Sequence, residues 1–104
     1  MTRCASCRPK DPCEKHFQAQ VVQLAEFQGW KVYHTRFSFL SNVGFPDLIL
    51  LRGNELLALE LKRNGGKMTT TQAEWIDAFG HVTEVAALCL SPVQWPLIEA
   101  ALAP

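Results

Sequence analysis

The sequence has no net charge, no long apolar run and no internal repeat, and each absence argues against a class of protein. Ten Lys and Arg residues balance ten Asp and Glu residues, which argues against a protein that coats nucleic acid through bulk positive charge. No apolar run approaches the roughly 20 residues that a membrane-spanning helix needs. The first residues are polar and include cysteine, unlike the apolar core of a signal peptide. We therefore expect a cytoplasmic protein with no membrane partner.

Lysine and arginine are unevenly distributed along the chain. None follows Lys67, whereas Arg36, Arg52, Lys62 and Arg63 lie in or beside the segments discussed below. This distribution predicts a polarised surface, which leaves room for focal contact with nucleic acid.

Four cysteines and three histidines raise the question of a metal site. Cys4-x-x-Cys7, followed by Cys13 and His16, has a spacing compatible with zinc. A single CxxC pair is a weak signal, and the alternative is a loose leader whose cysteines bind nothing. The sequence leaves both interpretations open.

The apolar periodicity predicts a flexible cysteine-bearing leader at 1–10 and one domain at 11–104, with elements in the order α-β-β-β-α-β-α. Asp11 as N-cap, Pro12 and Glu14 predict a helix that starts near residue 12. Thr71-Gln72-Ala73-Glu74 predicts a capping box at the second helix, and Ser91-Pro92 predicts the start of the last one. The predicted strands span 30–37, 48–51, 56–59 and 84–90. This order indicates an α/β fold, a mixed sheet with helices on its faces.

A hairpin turn at Gly53-Asn54 would bring two acidic residues together. Counting outward from that turn places Asp47 directly opposite Glu60, and opposed residues have Cβ atoms about 4.5–5.5 Å apart. Lys62 lies two residues beyond Glu60 and shares its face, while the carbonyl of Leu61 stays nearby.

Two facing carboxylates repel each other, and burial makes their ionisation still more costly. A shared proton relieves the repulsion, and so does a divalent cation; oxygen ligands of this kind suit Mg²⁺ or Mn²⁺. The alternative is a cross-strand salt-bridge cluster at the mouth of the hairpin, which would contribute little. A one-residue change in the turn would separate the faces altogether.

The residues Pro46-Asp47 and Glu60-Leu61-Lys62 resemble the PD-(D/E)xK nuclease signature. With Gly44-Phe-Pro before Asp47, Thr71-Gln72 opening a helix, and an acidic leading helix that contains Glu14, the chain resembles the VRR-NUC family. The similarity is to its small stand-alone phage and bacterial members. It extends from about Glu14 to the last helix, so it leaves out the cysteine leader.

This resemblance implies a restriction-endonuclease-like mixed β-sheet flanked by helices, and a metal site. Asp47 and Glu60 would bind Mg²⁺ or Mn²⁺, with the Leu61 carbonyl as a third oxygen. Glu14 would complete the acidic cluster, directly or through water.

The resemblance also implies catalytic roles outside the metal ligands. Lys62 would position the attacking water or stabilise charge on the phosphate. Gln72 would orient Lys62 or touch the phosphate.

The implied function is that of a metal-dependent DNA endonuclease acting on structured or branched DNA. The small members resemble Holliday-junction resolvases, which implies a homodimer, four-way junctions or flaps as DNA partners, and a bacterial or phage-infected host cell. Two other hypotheses stay open: a catalytically silent nucleic-acid-binding module of the same fold, and a zinc-stabilised interaction domain.

Overall fold

The structure, a computed structural model, describes residues 4–35 and 42–104. The elements are α1 (Glu14–Phe27), β1 (Lys31–His34), β2 (Leu48–Arg52), β3 (Glu55–Leu61), α2 (Thr70–Gly80), β4 (Val85–Leu90), a short 3₁₀ helix (Pro92–Gln94) and α3 (Trp95–Leu102). This confirms the predicted order of helices and strands. No helix within the described ranges is both long enough and apolar enough to cross a membrane.

The four strands form one mixed sheet in the order β1-β2-β3-β4. The β1–β2 and β2–β3 pairs are antiparallel, whereas β3 and β4 run parallel and are connected through α2. A parallel pair needs such a crossover because its strands enter from the same edge. The predicted mixed α/β sheet is therefore confirmed.

The core lies between the sheet and the helices α1 and α3. From α1 it takes Phe17, Val21 and Ala25, and from α3 it takes Ile98 and Leu102, all buried. These side chains pack with leucines of the strands, and on β3 the run from Leu57 to Leu61 is buried throughout. A strand covered on both faces cannot alternate polar and apolar residues, which explains the continuous apolar runs in the sequence.

The predicted start of the first helix is wrong. Helix α1 begins at Glu14 with Cys13 as N-cap, whereas Asp11 takes part in a tight turn. The backbone of Asp11 exchanges two hydrogen bonds with Arg8, each of 3.0 Å. Because these bonds hold Asp11 in an extended bridge, it cannot cap the helix. This turn crosses residue 10, where the leader was predicted to end. That boundary stays a prediction.

The capping box of α2 also differs from the prediction by two residues. Thr69 is the N-cap: its side chain accepts from the backbone N–H of Gln72 at 3.2 Å. In return, Oε1 of Gln72 accepts from the N–H of Thr69 at 2.8 Å. Both Thr69-x-x-Gln72 and Thr71-x-x-Glu74 satisfy the capping-box pattern, so the sequence alone does not distinguish them.

The outer strands are shorter than predicted. β1 ends at His34 rather than at residue 37, and residues 36–41 lie outside the described part. β4 begins at Val85 rather than Glu84. The last helix follows a 3₁₀ turn and carries Pro96 in its first turn, where a missing N–H is tolerated.

Candidate active site

The hairpin between β2 and β3 has the predicted register. Leu48 pairs with Leu59, so one further step sets Asp47 opposite Glu60. Oδ2 of Asp47 accepts a hydrogen bond from the backbone N–H of Leu61 at 2.9 Å. This bond orients the Asp47 carboxylate toward the end of β3, where Glu60 lies.

The loop that carries Asp47 is fixed by Thr35, the residue that follows β1. The backbone N–H of Thr35 donates to the carbonyl of Asp47 at 3.0 Å, and the Thr35 hydroxyl donates to the carbonyl of Pro46 at 2.9 Å. Pro46 is fully buried. The backbone at Asp47 is therefore rigid on the side of β1.

Helix α2 fixes the same loop from the other side. The ring of Phe45 meets those of Trp75 and Phe79 edge to face, with centroids 5.1 and 5.9 Å away. Gly44, with φ of +85°, approaches α2 so closely that a Cβ would lie 2.7 Å from the backbone carbon of Thr71. A glycine is required here for both reasons, and it brings the start of α2 next to the loop of Asp47.

Glu60 is the only buried charged residue in the described part of the chain, with 1% of its surface exposed. Burial, followed by the charge of Asp47 and a hydrogen bond with it, raises the pKa of Glu60 to about 8. The positive charge of Lys62 lowers the pKa of Glu60 but does not offset these effects. Oε2 of Glu60 is buried and has no hydrogen-bond partner in the described part. A buried carboxylate with an unsatisfied oxygen beside a second acid fits a cation ligand.

One cavity of about 190 Å³ brings together the sequence-predicted side chains: Glu14, Asp47, Glu60, Lys62 and Gln72, together with Leu61 and Gln18. Helix α1, the loop before β2, the end of β3 and the start of α2 each contribute to its wall. Residues distant in the sequence thus meet where these four segments converge. Their chemical roles remain predictions.

Gln18 also lines the cavity, although it is not among the site residues predicted from the sequence. It lies four residues after Glu14 and hence on the same side of α1, which is the signal that could have identified it. Its amide donates to Nδ1 of His34 at 3.1 Å. This bond connects the cavity to β1.

The three carboxylates of the cavity are not all tightly gathered. Within residues 4–35 and 42–104, one group of three or more His, Cys, Asp or Glu side chains has ligand atoms that all lie within 4.8 Å of one another. That group is Cys4, Cys7, Cys13 and His16, and it does not include the carboxylates of the cavity. The charge of Asp47 acts on Glu60 more strongly than the charge of Glu14 does.

The alternative of a salt-bridge cluster at the hairpin mouth does not fit. Among the described residues no ion pair within 4.0 Å joins Lys62 to Asp47 or Glu60. The pairs found there involve other residues, such as Arg52 with Glu55 at 3.2 Å. Lys62 is therefore available to a ligand in the cavity.

The basic residues are less concentrated at the cavity than the sequence suggested. The Arg52 guanidinium donates to the carbonyls of Gln28 and Leu102, far from the cavity. Arg63 donates to the carbonyl of Ser6 in the leader and to that of Asp11 just after it. Arg36 lies outside the described residues, so Lys62 is the basic side chain known to line the cavity.

A larger groove, of about 890 Å³, contains no acidic residue; its lining includes Arg8, Lys10, Leu24, Phe27, Val93 and Trp95. It shares no residue with the smaller cavity. It offers amide oxygens but no carboxylate, whereas the smaller cavity combines carboxylates with a lysine. The smaller cavity therefore fits a divalent cation better and is the candidate active site.

Neither a scan against protein-family models nor a search of curated proteins found a match. Among solved structures, the fold is similar to that of a "VRR_NUC domain protein", with a TM-score of 0.67 and 21% identity. The similarity covers 88% of this chain and 86% of the other. The predicted likeness in fold to the VRR-NUC type is thereby confirmed.

Proposed function

We propose that this chain is a metal-dependent DNA endonuclease of the VRR-NUC family, hydrolysing phosphodiester bonds. The observation that carries the proposal is the opposition of Asp47 and Glu60 in a cavity that also contains Lys62. Asp47, Glu60 and Lys62 are the elements of the PD-(D/E)xK signature, and the fold is shared with a VRR_NUC domain protein.

The donor atoms fit a hard divalent cation. The carboxylates of Asp47 and Glu60, with the Leu61 carbonyl, would hold Mg²⁺ or Mn²⁺, and water and phosphate oxygens would complete the coordination. Glu14 would contribute directly or through water. When bound, the cation polarises the phosphate and lowers the pKa of a bound water. The unsatisfied Oε2 of Glu60 supports this assignment.

Two side chains of the cavity, Lys62 and Gln72, would act on the phosphate. The Lys62 ammonium group, a donor of three hydrogen bonds, would orient the attacking water and stabilise the negative charge that develops on the phosphate oxygens. Gln72 lies at the start of α2, where a helix N-terminus attracts phosphate. Its Oε1 is used by the cap, so its Nε2 amide would face the DNA.

The substrate would be structured or branched DNA, such as a four-way junction or a flap. With zero net charge, the protein would depend on local contacts near the cavity rather than on bulk attraction. Resolution of a junction needs two incisions, so the active form would be a homodimer. We place this activity in the cytoplasm of a bacterial or phage-infected cell.

The decisive experiment incubates the protein with supercoiled plasmid and with a synthetic four-way junction, with Mg²⁺ or Mn²⁺ and without added divalent cation. The variants Asp47→Asn and Glu60→Gln preserve side-chain size while removing one charge each. Asp77→Asn and Glu55→Gln are matched controls, because these two acids are exposed and lie outside the cavity.

We expect cation-dependent cleavage by wild type and both controls and loss of cleavage in the two cavity variants. A wild-type protein that cuts no substrate but binds the junction would favour the catalytically silent module. Equal cleavage by wild type and cavity variants would refute the site assignment. Light scattering tests the dimer separately, since a monomer at micromolar concentration would contradict paired incisions.

A further inference from the structure

Four potential ligands converge at the start of the chain, outside the candidate active site. Cys4 and Cys7 lie in the leader, Cys13 is the N-cap of α1, and His16 lies one turn into that helix. Their Sγ and imidazole nitrogen atoms all lie within 4.8 Å of one another. Side chains up to 12 residues apart in the sequence thus converge on one point.

The distances among the ligand atoms lie within about 0.4 Å of those in a tetrahedron around zinc. Sγ of Cys13 lies 3.4 Å from Sγ of Cys7 and 3.8 Å from Sγ of Cys4. Nδ1 of His16 lies 3.1 Å from Sγ of Cys7 and 3.2 Å from Sγ of Cys13. Ligands around zinc, with Zn–S of about 2.3 Å and Zn–N of about 2.0 Å, are separated by roughly 3.5–3.8 Å in a tetrahedron.

From this geometry we infer that Cys4, Cys7, Cys13 and His16 form a structural zinc site. Four protein ligands close the coordination sphere and leave no position open for water or substrate, which is the mark of a structural rather than a catalytic site. The inference is independent of the proposed nuclease reaction, which uses oxygen ligands in a different cavity.

The surrounding backbone is arranged as thiolate ligands require. A turn closes the Cys4–Cys7 pair, with the N–H of Cys7 donating to the carbonyl of Cys4 at 3.1 Å. The N–H of Cys13 donates to Sγ of Cys7 at 3.2 Å, which stabilises negative charge on that sulfur. The N-terminus of α1 adds a favourable dipole, and His16 is three residues after Cys13, hence on the same side of the helix.

A disulfide is the main competing explanation, and it accounts for less of the geometry. A disulfide would use two of the three sulfurs and leave the third sulfur and the His16 imidazole without a reason to converge. The Cys7 and Cys13 sulfurs are 3.4 Å apart, well beyond the roughly 2.05 Å of a sulfur–sulfur bond. Zinc uses all four groups.

The site would fix the leader to the domain and so position the first helix. Cys13 directly precedes Glu14, which lines the active-site cavity. The leader is also bound from the other side, because the Arg63 guanidinium donates to the carbonyls of Ser6 and Asp11. Arg63 directly follows Lys62, so the zinc-bound leader connects the two segments that flank the cavity. Glu14 and Lys62 are thereby held by a common support.

The test measures metal content of the full chain, purified under reducing conditions from cells grown with zinc. We expect one zinc per wild-type chain by elemental mass spectrometry. Replacement by Co²⁺ should give the intense visible absorption of tetrahedral cobalt with thiolate charge-transfer bands. Cys7→Ser, Cys13→Ser and His16→Ala should lose the metal. Cys89→Ser and His81→Ala serve as matched controls and should retain it, since neither residue belongs to the cluster.

Several results would overturn the inference: wild type with no bound zinc and no tetrahedral cobalt spectrum, ligand variants that retain zinc, or a disulfide among Cys4, Cys7 and Cys13 in the reduced preparation. If the cysteine variants fail to fold, His16→Ala and the cobalt spectrum of the wild type still decide, because His16 is exposed and the spectrum needs no substitution.

Discussion

The backbone N–H of Leu61 donates a hydrogen bond of 2.9 Å to Oδ2 of Asp47. This hydrogen bond connects the loop before β2 to the end of β3 through the carboxylate of Asp47. Its donor, Leu61, directly follows Glu60. Asp47 is therefore held through Oδ2 beside Glu60. The two acids form one unit, and the chemistry of each depends on the other.

We predict that Asp47→Asn and Glu60→Gln each abolish most of the cleavage activity without unfolding the protein. Loss of a metal-ligand charge removes several kcal/mol of transition-state stabilisation, on the order of a 100-fold loss of rate or more. Initial cleavage rates at saturating Mg²⁺ measure it, and circular dichroism checks the fold. Retention of more than about a tenth of the wild-type rate, a deficit of only about 1.4 kcal/mol, would contradict the metal-ligand role.

The buried acid also predicts a pH-dependent stability. In the absence of added divalent cation, the pKa of Glu60 is raised from 4.5 to about 8, chiefly by burial. Between these values the folded chain retains a proton that the unfolded chain has lost. The unfolded state then binds fewer protons, so the contribution of Glu60 to stability falls as pH rises through this window and levels off above about 8.

Thermal unfolding across that window measures this effect, with Glu60→Gln as the comparison. The amide does not titrate, so the Tm of the variant relative to wild type should rise with pH. Added Mg²⁺ should raise the wild-type Tm most at the upper end, where the carboxylate is ionised and binding needs no proton release. Parallel Tm profiles for the two proteins would show that Glu60 keeps an ordinary pKa.

The sequence predicted the centre of the site better than its edges. Asp47, Glu60 and Lys62 were placed correctly because one two-residue turn sets the register of the whole β2–β3 hairpin. The start of α2 was misplaced because both Thr69 and Thr71 satisfy the capping rules. The start of α1 was misplaced for a different reason, since Cys13 is the N-cap without a side-chain capping bond. For Asp11, a contact with Arg8 decides against the N-cap role, and no rule of helix propensity includes that contact.

Gly44 approaches the start of α2 closely, and the rules of local sequence do not include this tertiary contact either. We predict that Gly44→Ala lowers the free energy of unfolding by at least about 2 kcal/mol. Its φ is +85°, and its Cβ would lie 2.7 Å from the backbone of Thr71. The backbone of α2 must shift to accommodate the added methyl group. This shift should displace Asp47, and the cleavage rate should therefore fall. Urea unfolding and cleavage rates measure the two effects.

Gly65→Ala is the matched control for stability. Its φ of +81° carries a similar conformational penalty, but no atom lies within 4 Å of the added Cβ. We expect this variant to lose about 1 kcal/mol, the conformational part alone. An equal loss in both variants would mean that the contact with Thr71 is not tight.

Arg52 provides a prediction about the fold away from the site. Its guanidinium lies 4.1 Å from the Trp30 ring centroid and donates to the carbonyls of Gln28, Leu102 and Ala103. It therefore holds the end of α1 and the end of α3 together. We predict that Arg52→Ala lowers the free energy of unfolding by about 2–4 kcal/mol, from lost charged hydrogen bonds and cation–π contact.

Urea unfolding measures the loss, and Lys31→Ala is the control because Lys31 is an exposed basic residue on the neighbouring strand β1. That substitution should change stability by no more than about 0.5 kcal/mol. Arg52→Lys should recover only part of the loss, since an ammonium group cannot bond three carbonyls in a plane while stacking on Trp30. Full recovery by lysine would mean that charge alone, and not the planar guanidinium, joins the two helix ends.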